Sequence, residues 1–215
     1  MNSKIDHRLY LVTDDPDRYR GNWLDNIVAA VEGGVTCVQY RDTKSEPREK
    51  YARLRALQDA LRGRVSGIIV NNDVDLAVAV KAEGLHVGQS DTSVEVAREI
   101  VGPDCEIGLS ITEKSQLANL RGADLVGVGP VFDARHTKVD AAEAMGVEGL
   151  KEIVEELARE CPLESVAIGG INLSNAEKVL NTGVGGLAVV SAFSQSENPY
   201  ETARKFTMLF DHRGV

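Results

Sequence analysis

Eight short apolar runs recur along this chain of 215 residues, and a longer amphipathic stretch follows each of them. The runs are near-continuous in apolar character, which is typical of parallel strands buried on both faces. Eight alternations of strand and helix with right-handed crossovers predict a closed (β/α)8 barrel, the TIM-barrel fold. The predicted strands cover residues 9–13, 35–40, 67–71, 84–88, 106–110, 125–129, 165–169 and 186–191, and the predicted helices cover residues 23–32, 49–61, 75–81, 93–101, 113–120, 147–160, 173–181 and 199–210.

A doubly wound open sheet is the structural alternative, because it is built from the same β–α units. Such sheets have about five to seven strands and often carry an early glycine fingerprint. No GxGxxG pattern follows the first apolar run here. The chain length suits one barrel at the short end of the usual range, and no linker interrupts the repeat. We therefore expect residues 1–215 to form a single domain.

The charge balance limits the partners of this chain. Its net charge of −9 argues against nucleic acid, since nucleic-acid binders usually present a basic face. Phosphorylated substrates would then need local cations, backbone N–H groups or a metal to overcome the overall repulsion. No apolar run approaches the roughly 18 residues of a membrane span, and the N-terminus does not read as a signal peptide. We expect a cytoplasmic protein that acts on small molecules and does not bind membranes.

Polar side chains follow the second predicted strand, at the end of a barrel where the chemistry is normally carried. Gln39 and Arg41 are two residues apart, so on an extended strand they point to the same face. There they could bond a heterocycle and a phosphate. A solvated loop is the alternative, but Gln and Arg on a buried strand are costly without partners, which favours a functional role.

Acidic residues follow the third and fourth predicted strands. Asp73 and Asp91 would lie on neighbouring strand ends, which suits an octahedral Mg²⁺ that also binds pyrophosphate oxygens. Helix capping by Asp73 and turn formation by Asp91 explain the same residues equally well. His86 lies within the fourth strand and reads either as a core histidine or as a base.

The last three strand ends carry a long loop and a glycine pair. The loop of residues 133–145 holds Arg135, His136 and Lys138 in an otherwise acidic protein, which is typical of a lid or binding loop, with a solvated charged loop as the alternative. Gly169 and Gly170 allow backbone N–H groups to approach an anion closely. The loops after strands seven and eight form the common phosphate site of such barrels, which indicates phosphate binding but names no reaction.

The matching segments 9–14, 39–44, 70–91, 107–110, 127–138, 167–171 and 186–192 follow in order along nearly the whole chain. As an ordered set they resemble the thiamine-phosphate synthase family, which also includes thiazole tautomerases. The resemblance implies a barrel enzyme that joins a pyrimidine carried on pyrophosphate to a thiazole phosphate and releases pyrophosphate. It also implies a Mg²⁺-assisted dissociative substitution, in which cationic side chains stabilise the leaving pyrophosphate. A homodimer is a further expectation from the family.

The resemblance also assigns residues by matching position. Arg41, Ser110 and Lys138 are implied to be catalytic, and Asp91 to bind Mg²⁺. The implied pyrimidine pyrophosphate set is Gln39, Arg41, Asn71, Ser110 and Lys138, and the implied thiazole phosphate set is Thr137, Gly170, Val190 and Ser191.

Three departures from the family pattern fall in the implied site. Thr43 replaces the lysine of a Gln-x-Arg-x-Lys motif, and a lysine follows at Lys44. Asn72 replaces the acid of an Asn-Asp motif, and an acid follows at Asp73. We expect Lys44 to reach back to the pyrophosphate, and either the Asn72 carbonyl or Asp73 to serve Mg²⁺.

The third departure is the loop after the sixth strand, which is one residue longer than the family pattern and lacks its first threonine. The departures keep two other functions open. A thiazole tautomerase would use the same barrel with His136 as a base, and a non-catalytic protein would bind thiamine phosphate or thiazole phosphate. Other phosphate-binding barrels, such as sugar-phosphate epimerases, remain a third alternative.

Overall fold

The strands of this chain form a closed barrel in sequence order. The computed structural model describes residues 5–135, 137 and 141–211, and in it each strand pairs in parallel with the next, while β8 pairs with β1. The predicted (β/α)8 fold is therefore confirmed. The strands are β1 Leu9–Val12, β2 Cys37–Tyr40, β3 Ile68–Asn71, β4 Gly84–Val87, β5 Glu106–Ile111, β6 Leu125–Val128, β7 Glu164–Ile168 and β8 Gly186–Val189.

Helices cover the outside of the barrel. They are α1 Trp23–Glu32, α2 Pro47–Leu61, α3 Val74–Val80, α4 Val94–Val101, α5 Gly146–Glu160, α6 Ala176–Leu180, α7 Ser191–Ser194 and α8 Pro199–Asp211, with 3-10 turns at Pro16–Arg18 and Lys114–Asn119. The prediction of an α-helix over residues 113–120 was wrong, because this short connection winds as a 3-10 helix and Gln116 bonds back to the Thr112 N–H at 2.7 Å. The four-residue α7 was not predicted, since so short a helix has no periodicity to read.

Side-chain alternation along the strands divides the core into two parts. The outer part lies between the barrel and the helices and contains residues such as Leu54, Leu57 and Ile107. The inner part fills the barrel with one or two residues from most strands. Its members are Ile5, Tyr10, Val12, Cys37, Ile69, Leu125, Val166 and Ala188. This inner layer is the packed base on which the carboxyl end of the barrel is built.

A charged cluster occupies the amino end of the barrel. His7 is 1% exposed, and its Nε2 lies 2.9 Å from a Glu106 oxygen while its Nδ1 lies 3.4 Å from a Glu164 oxygen. Burial alone lowers the pKa of His7, but the two carboxylates outweigh it and raise that pKa to about 9. His7 is therefore an imidazolium at neutral pH.

None of the helices in the described part of the chain combines the length and apolar character needed to cross a bilayer.

Candidate active site

A cavity of about 610 Å³ opens at the carboxyl ends of the strands. Its walls come from the inward-facing positions of the strands and from the loops that follow them, which is where barrel chemistry is expected. The structure brings most of the predicted residues together here. Those that line the cavity are Gln39, Arg41, Asn71, Asn72, Asp91, Ser110, Thr137, Gly170, Val190 and Ser191.

The floor of the cavity carries a pair of neutral hydrogen-bonding groups on β1 and β2. Gln39 is 5% exposed, and its Nε2 donates to the Tyr10 hydroxyl at 2.8 Å. Tyr10 is almost completely buried, and burial raises the pKa of its hydroxyl well above the ordinary value. This hydroxyl therefore stays protonated at any pH at which the protein works.

A second neutral pair lies across the floor on β4 and β5. His86 Nε2 is 2.8 Å from Ser110 Oγ. Burial, reinforced by the positive charge of His7, lowers the pKa of His86 to about 4, against the opposing influence of Asp91. Gly108 on β5 and Gly127 on β6 make room for this ring, because a Cβ at either position would lie within 3 Å of it. His86 is thus a neutral wall residue bonded to Ser110, and its Nδ1 is buried with no partner among the described residues.

The segment after β2 presents its residues alternately to the cavity and away from it. Arg41 lines the cavity, and the Thr13 hydroxyl holds its backbone by two hydrogen bonds of 2.8 Å. Asp42 points outward and accepts from the Tyr40 hydroxyl and from backbone N–H groups. Burial raises the pKa of Asp42, but its hydrogen bonds outweigh burial and lower that pKa to about 2. Thr43 faces inward again, and its N–H and hydroxyl both donate to the buried Asp15.

Lys44 takes the outward position in this alternation, so the structure does not bring it to the cavity. Its ammonium lies 2.8 Å from Asp17 and 3.8 Å from Asp15, and its side chain is 58% exposed. The physical reason is the bend of residues 43–45, in which the Lys44 N–H donates to the Asp42 carboxylate at 3.2 Å and the lysine side chain turns toward Asp17. Arg41 is therefore the described cation of the second strand end that reaches the cavity.

Asn72 and Asp91 meet at the cavity rim, at the ends of β3 and β4. Asn72 adopts a left-handed conformation with φ of 57°, and its Nδ2 donates to Asp91 at 3.3 Å. The other Asp91 oxygen accepts from the Gly88 N–H at 2.7 Å, which fixes the carboxylate at the rim. One carboxylate oxygen and the Asn72 amide oxygen are the protein oxygens that this corner offers a cation.

Asp73 is not part of this corner. It is the N-cap of α3, and its carboxylate accepts from the Leu76 N–H at 3.0 Å, as the capping alternative predicted. The described chain holds no cluster of three or more His, Cys, Asp or Glu side chains able to enclose a metal. A Mg²⁺ that keeps its waters and bridges substrate phosphates needs only one or two protein carboxylates, so Asp91 with Asn72 fits that mode and not a closed protein site.

Glycines shape the opposite rim, after β7. Gly169 and Gly170 have φ of 102° and 64°, values that side chains rarely adopt. A Cβ on Gly170 would lie 2.7 Å from Phe132, so the pair also packs tightly against the loop after β6. Ser191 begins α7 directly after β8 and lines the same side of the cavity.

The loop after β6 covers this rim. Thr137 lines the cavity and donates its hydroxyl to the Ala134 carbonyl at 3.0 Å, and Ala141 and Ala142 line it further along. The predicted residues His136 and Lys138 lie outside the described residues.

Sequence reasoning missed Tyr10 and Asp15. Tyr10 lies in a continuous apolar run and has the pattern of an ordinary core residue. The available signal was its position two residues before Val12, which puts both side chains on the strand face that points into the barrel. Asp15 is 5% exposed and binds Thr43, a partner 28 residues away that no local pattern indicates.

Comparisons with known proteins find relatives of the whole chain. The family model for thiamine monophosphate synthase, TMP-TENI, matches residues 9–193. A thiamine-phosphate synthase of Psychrobacter sp. is 42% identical, covering 91% of this chain and 91% of its own. One from Vibrio parahaemolyticus is 41% identical, covering 95% of this chain and 98% of its own. A solved thiamine phosphate pyrophosphorylase from Pyrococcus furiosus superposes with a TM-score of 0.86 at 33% identity, covering 98% of each chain.

Proposed function

The chain belongs to the thiamine monophosphate synthase family and is a transferase of that kind, and we propose how its cavity carries out the reaction. Hydroxymethylpyrimidine pyrophosphate would lie with its ring on the floor and its pyrophosphate toward Arg41 and the Asn72–Asp91 corner. Thiazole phosphate would place its phosphate at the opposite rim, near Gly170 and Ser191. The products would be thiamine phosphate and pyrophosphate.

The observation that carries this proposal is that both implied sets of residues face one cavity. Gln39, Asn71 and Ser110 line the same space as Gly170, Val190 and Ser191. An isomerase acting on the thiazole alone has no need of the first set. A synthase needs both, because the two substrates must be held together for the new C–N bond to form.

A dissociative substitution suits these groups. Ionisation at the pyrimidine methylene leaves charge on the departing pyrophosphate, and Arg41 faces the space where that charge develops. The floor holds the ring with neutral donors and acceptors. The thiazole nitrogen then captures the methylene carbon. Ser110, which is fixed by neutral His86, would contact the substrate close to the bond that breaks.

Mg²⁺ is part of the proposal, with Asp91 and the Asn72 amide oxygen as its protein ligands. When bound, it would supply positive charge to the pyrophosphate oxygens. Lys44 and Asp73 are left out of the proposed site, because neither lines the cavity. Thr137, which lines the cavity, is proposed to contact the thiazole phosphate, and the family resemblance is the basis for proposing Lys138 as a contact of the pyrophosphate.

The test is pyrophosphate release from the purified protein across a Mg²⁺ titration. Release that requires both the pyrimidine pyrophosphate and thiazole phosphate is the expected result. Release from the pyrimidine substrate alone would indicate hydrolysis instead of transfer. Thiazole phosphate binding without any release would favour the tautomerase, which is then assayed on the thiazole carboxylate phosphate, or the non-catalytic binding protein.

A further inference from the structure

Two adjacent carboxylates are buried directly after β1, and the proposed function uses neither of them. Asp14 is 3% exposed and Asp15 is 5% exposed, whereas aspartates in loops are mostly solvated. In the barrel, β1 lies between β8 and β2. The segment after β1 therefore stands between Ser191, which follows β8, and Arg41, which follows β2.

Asp14 holds the short helix α7. Its carboxylate accepts from the Ser194 hydroxyl at 3.1 Å, and Ser194 is completely buried. The same segment adds a bond of 3.0 Å from the Arg20 N–H to the Ser194 carbonyl. A helix of about one turn is unstable by itself, so its position depends on tertiary contacts of this kind. Because Ser194 ends α7 and Ser191 begins it at the cavity, Asp14 fixes the place of Ser191.

Asp15 holds the segment after β2. Its Oδ1 accepts from both the N–H and the hydroxyl of Thr43 at 3.0 Å, and its Oδ2 accepts from the same hydroxyl at 3.1 Å. Two residues earlier, the Thr13 hydroxyl bonds both backbone groups of Arg41 at 2.8 Å. The chain that presents Arg41 to the cavity is thus attached to the β1 segment at residue 41 and again at residue 43.

We propose that Asp14 and Asp15 are positioning residues that hold the two substrate subsites at a fixed separation, Asp14 through α7 and Asp15 through Thr43. Two reacting atoms must be held about 3–3.5 Å apart before a bond forms, and a misplacement of about 1 Å costs about 100-fold in rate. Neither carboxylate lines the cavity, so both act through the residues that they hold. The inference rests on the proposed function, since it takes the two rims as the two subsites.

The first readout is the KM of each substrate. Ser194→Ala removes the hydroxyl that Asp14 holds, Asp15→Ala removes the acceptor for Thr43, and neither changes a side chain that lines the cavity. We expect Ser194→Ala to raise KM for thiazole phosphate about 10-fold, with KM for the pyrimidine pyrophosphate within about 2-fold of wild type. Asp15→Ala should do the reverse. Partial unfolding would lower kcat in proportion to the folded fraction and move neither KM.

The second readout is the amount of thiamine phosphate formed for each pyrophosphate released, at saturating concentrations of both substrates. The wild-type protein should give equal amounts. When the subsites shift apart, water competes with the thiazole nitrogen for the methylene carbon after pyrophosphate has left. That water forms the new C–O bond, loses its proton to solvent and yields hydroxymethylpyrimidine. Both variants should therefore release more pyrophosphate than thiamine phosphate, whereas partial unfolding would lower the two products together.

Two further variants separate contact from charge and from serine loss in general. Asp15→Asn keeps the Oδ1 that accepts both Thr43 bonds, so its kinetics should stay within about 3-fold of wild type. A loss as large as that of Asp15→Ala would contradict positioning by this contact. Ser115→Ala is the matched control for Ser194→Ala. It also removes a hydroxyl bonded to a carboxylate, that of Glu113, but at an exposed position, and it should behave as wild type.

The outcomes distinguish this inference from the proposed function. KM values that rise together, or equal amounts of the two products in both variants, would overturn the inference alone. Ser194→Ala deletes a single oxygen atom, so it decides the question if Asp15→Ala does not fold, and an unchanged KM for thiazole phosphate in it would also overturn the inference. A wild-type protein that releases no pyrophosphate with both substrates and Mg²⁺ would overturn the proposed function, and this inference with it.

Discussion

The two ends of this barrel use buried polar groups in opposite ways. At the amino end, the His7 imidazolium lies within 3.4 Å of a carboxylate oxygen from each of two glutamates, and the three form a charged cluster. At the carboxyl end, the floor pairs are neutral, and Tyr10 and His86 are kept so by burial. The first arrangement pairs its own charges, whereas the second leaves hydrogen-bonding capacity directed at the cavity.

This difference separates stability from function within one fold. A cluster that pairs its own charges needs no ligand, so its removal should lower the free energy of unfolding. The donors and acceptors of the cavity floor gain protein-independent partners when substrate binds, so removing them should lower kcat/KM. The predictions below separate the two ends by these two readouts.

Arg41→Ala should give the largest effect, and it should be kinetic. Arg41 is the described cation of the β2 end that faces the cavity, and removing one group that stabilises developing charge costs about 10²- to 10³-fold in rate. We expect kcat/KM to fall about 10³-fold while the free energy of unfolding changes by less than about 0.5 kcal/mol. Steady-state kinetics and denaturant unfolding measure the two quantities. Arg55→Ala, on the exposed face of α2, is the matched control, and equal losses in both variants would contradict a specific role.

His7→Leu should give the opposite result, with a large loss of stability and little change in kinetics. It removes the cation between two carboxylates at a position that is 1% exposed, and breaking such a buried pair costs about 3 kcal/mol or more. Denaturant unfolding should show this loss, while kcat/KM at a temperature where the variant is folded stays within about 3-fold. Unchanged stability would mean that the cluster contributes nothing. A large kinetic loss in the folded variant would mean that the two ends are not separable.

The two ends differ in how much of them the sequence reveals. Buried strands can be recognised because each is a short apolar run, and the fold itself places the residues at and just after their carboxyl ends, as for Ser110 and Arg41. Lys44 was misplaced because the bend after β2 directs its side chain to Asp17, and Asp73 was misplaced because a carboxylate before a helix is satisfied by capping. His7 gave no signal at all, since its partners Glu106 and Glu164 lie far along the chain.

The pH dependence of stability should also divide between the two ends. The pKa of His7 is raised from 6.5 to about 9, so the stability that it contributes is fully present below pH 6.5 and is lost as pH rises toward 9. The pKa of His86 is lowered from 6.5 to about 4, so stability is lost as pH falls from 6.5 toward 4. In that range the unfolded chain binds a proton at His86 and the folded chain does not. We expect each loss to reach about 3 kcal/mol.

Unfolding free energies measured from pH 4 to pH 10 test this division. The alkaline loss should disappear in His7→Leu, and the acidic loss should shrink in His86→Asn. An alkaline loss of the same size in His7→Leu would assign it to other groups.

Lys44→Ala should give the smallest effect. It tests whether the outward position of the Lys44 side chain is enough to keep it out of the reaction. The Lys44 ammonium pairs with Asp17 at 2.8 Å, but both side chains are more than half exposed, and such pairs contribute about 0–1 kcal/mol. The pair would therefore not prevent Lys44 from swinging toward a pyrophosphate; only its outward position keeps it away. We expect kcat/KM within about 3-fold of wild type and KM for the pyrimidine substrate unchanged. A loss of 100-fold, together with a gain in Asp17→Ala, would show that the lysine crosses to the cavity when substrate arrives. The cavity rim would then be a surface that rearranges when substrate binds. The two ends of the barrel would differ in mobility as well as in charge.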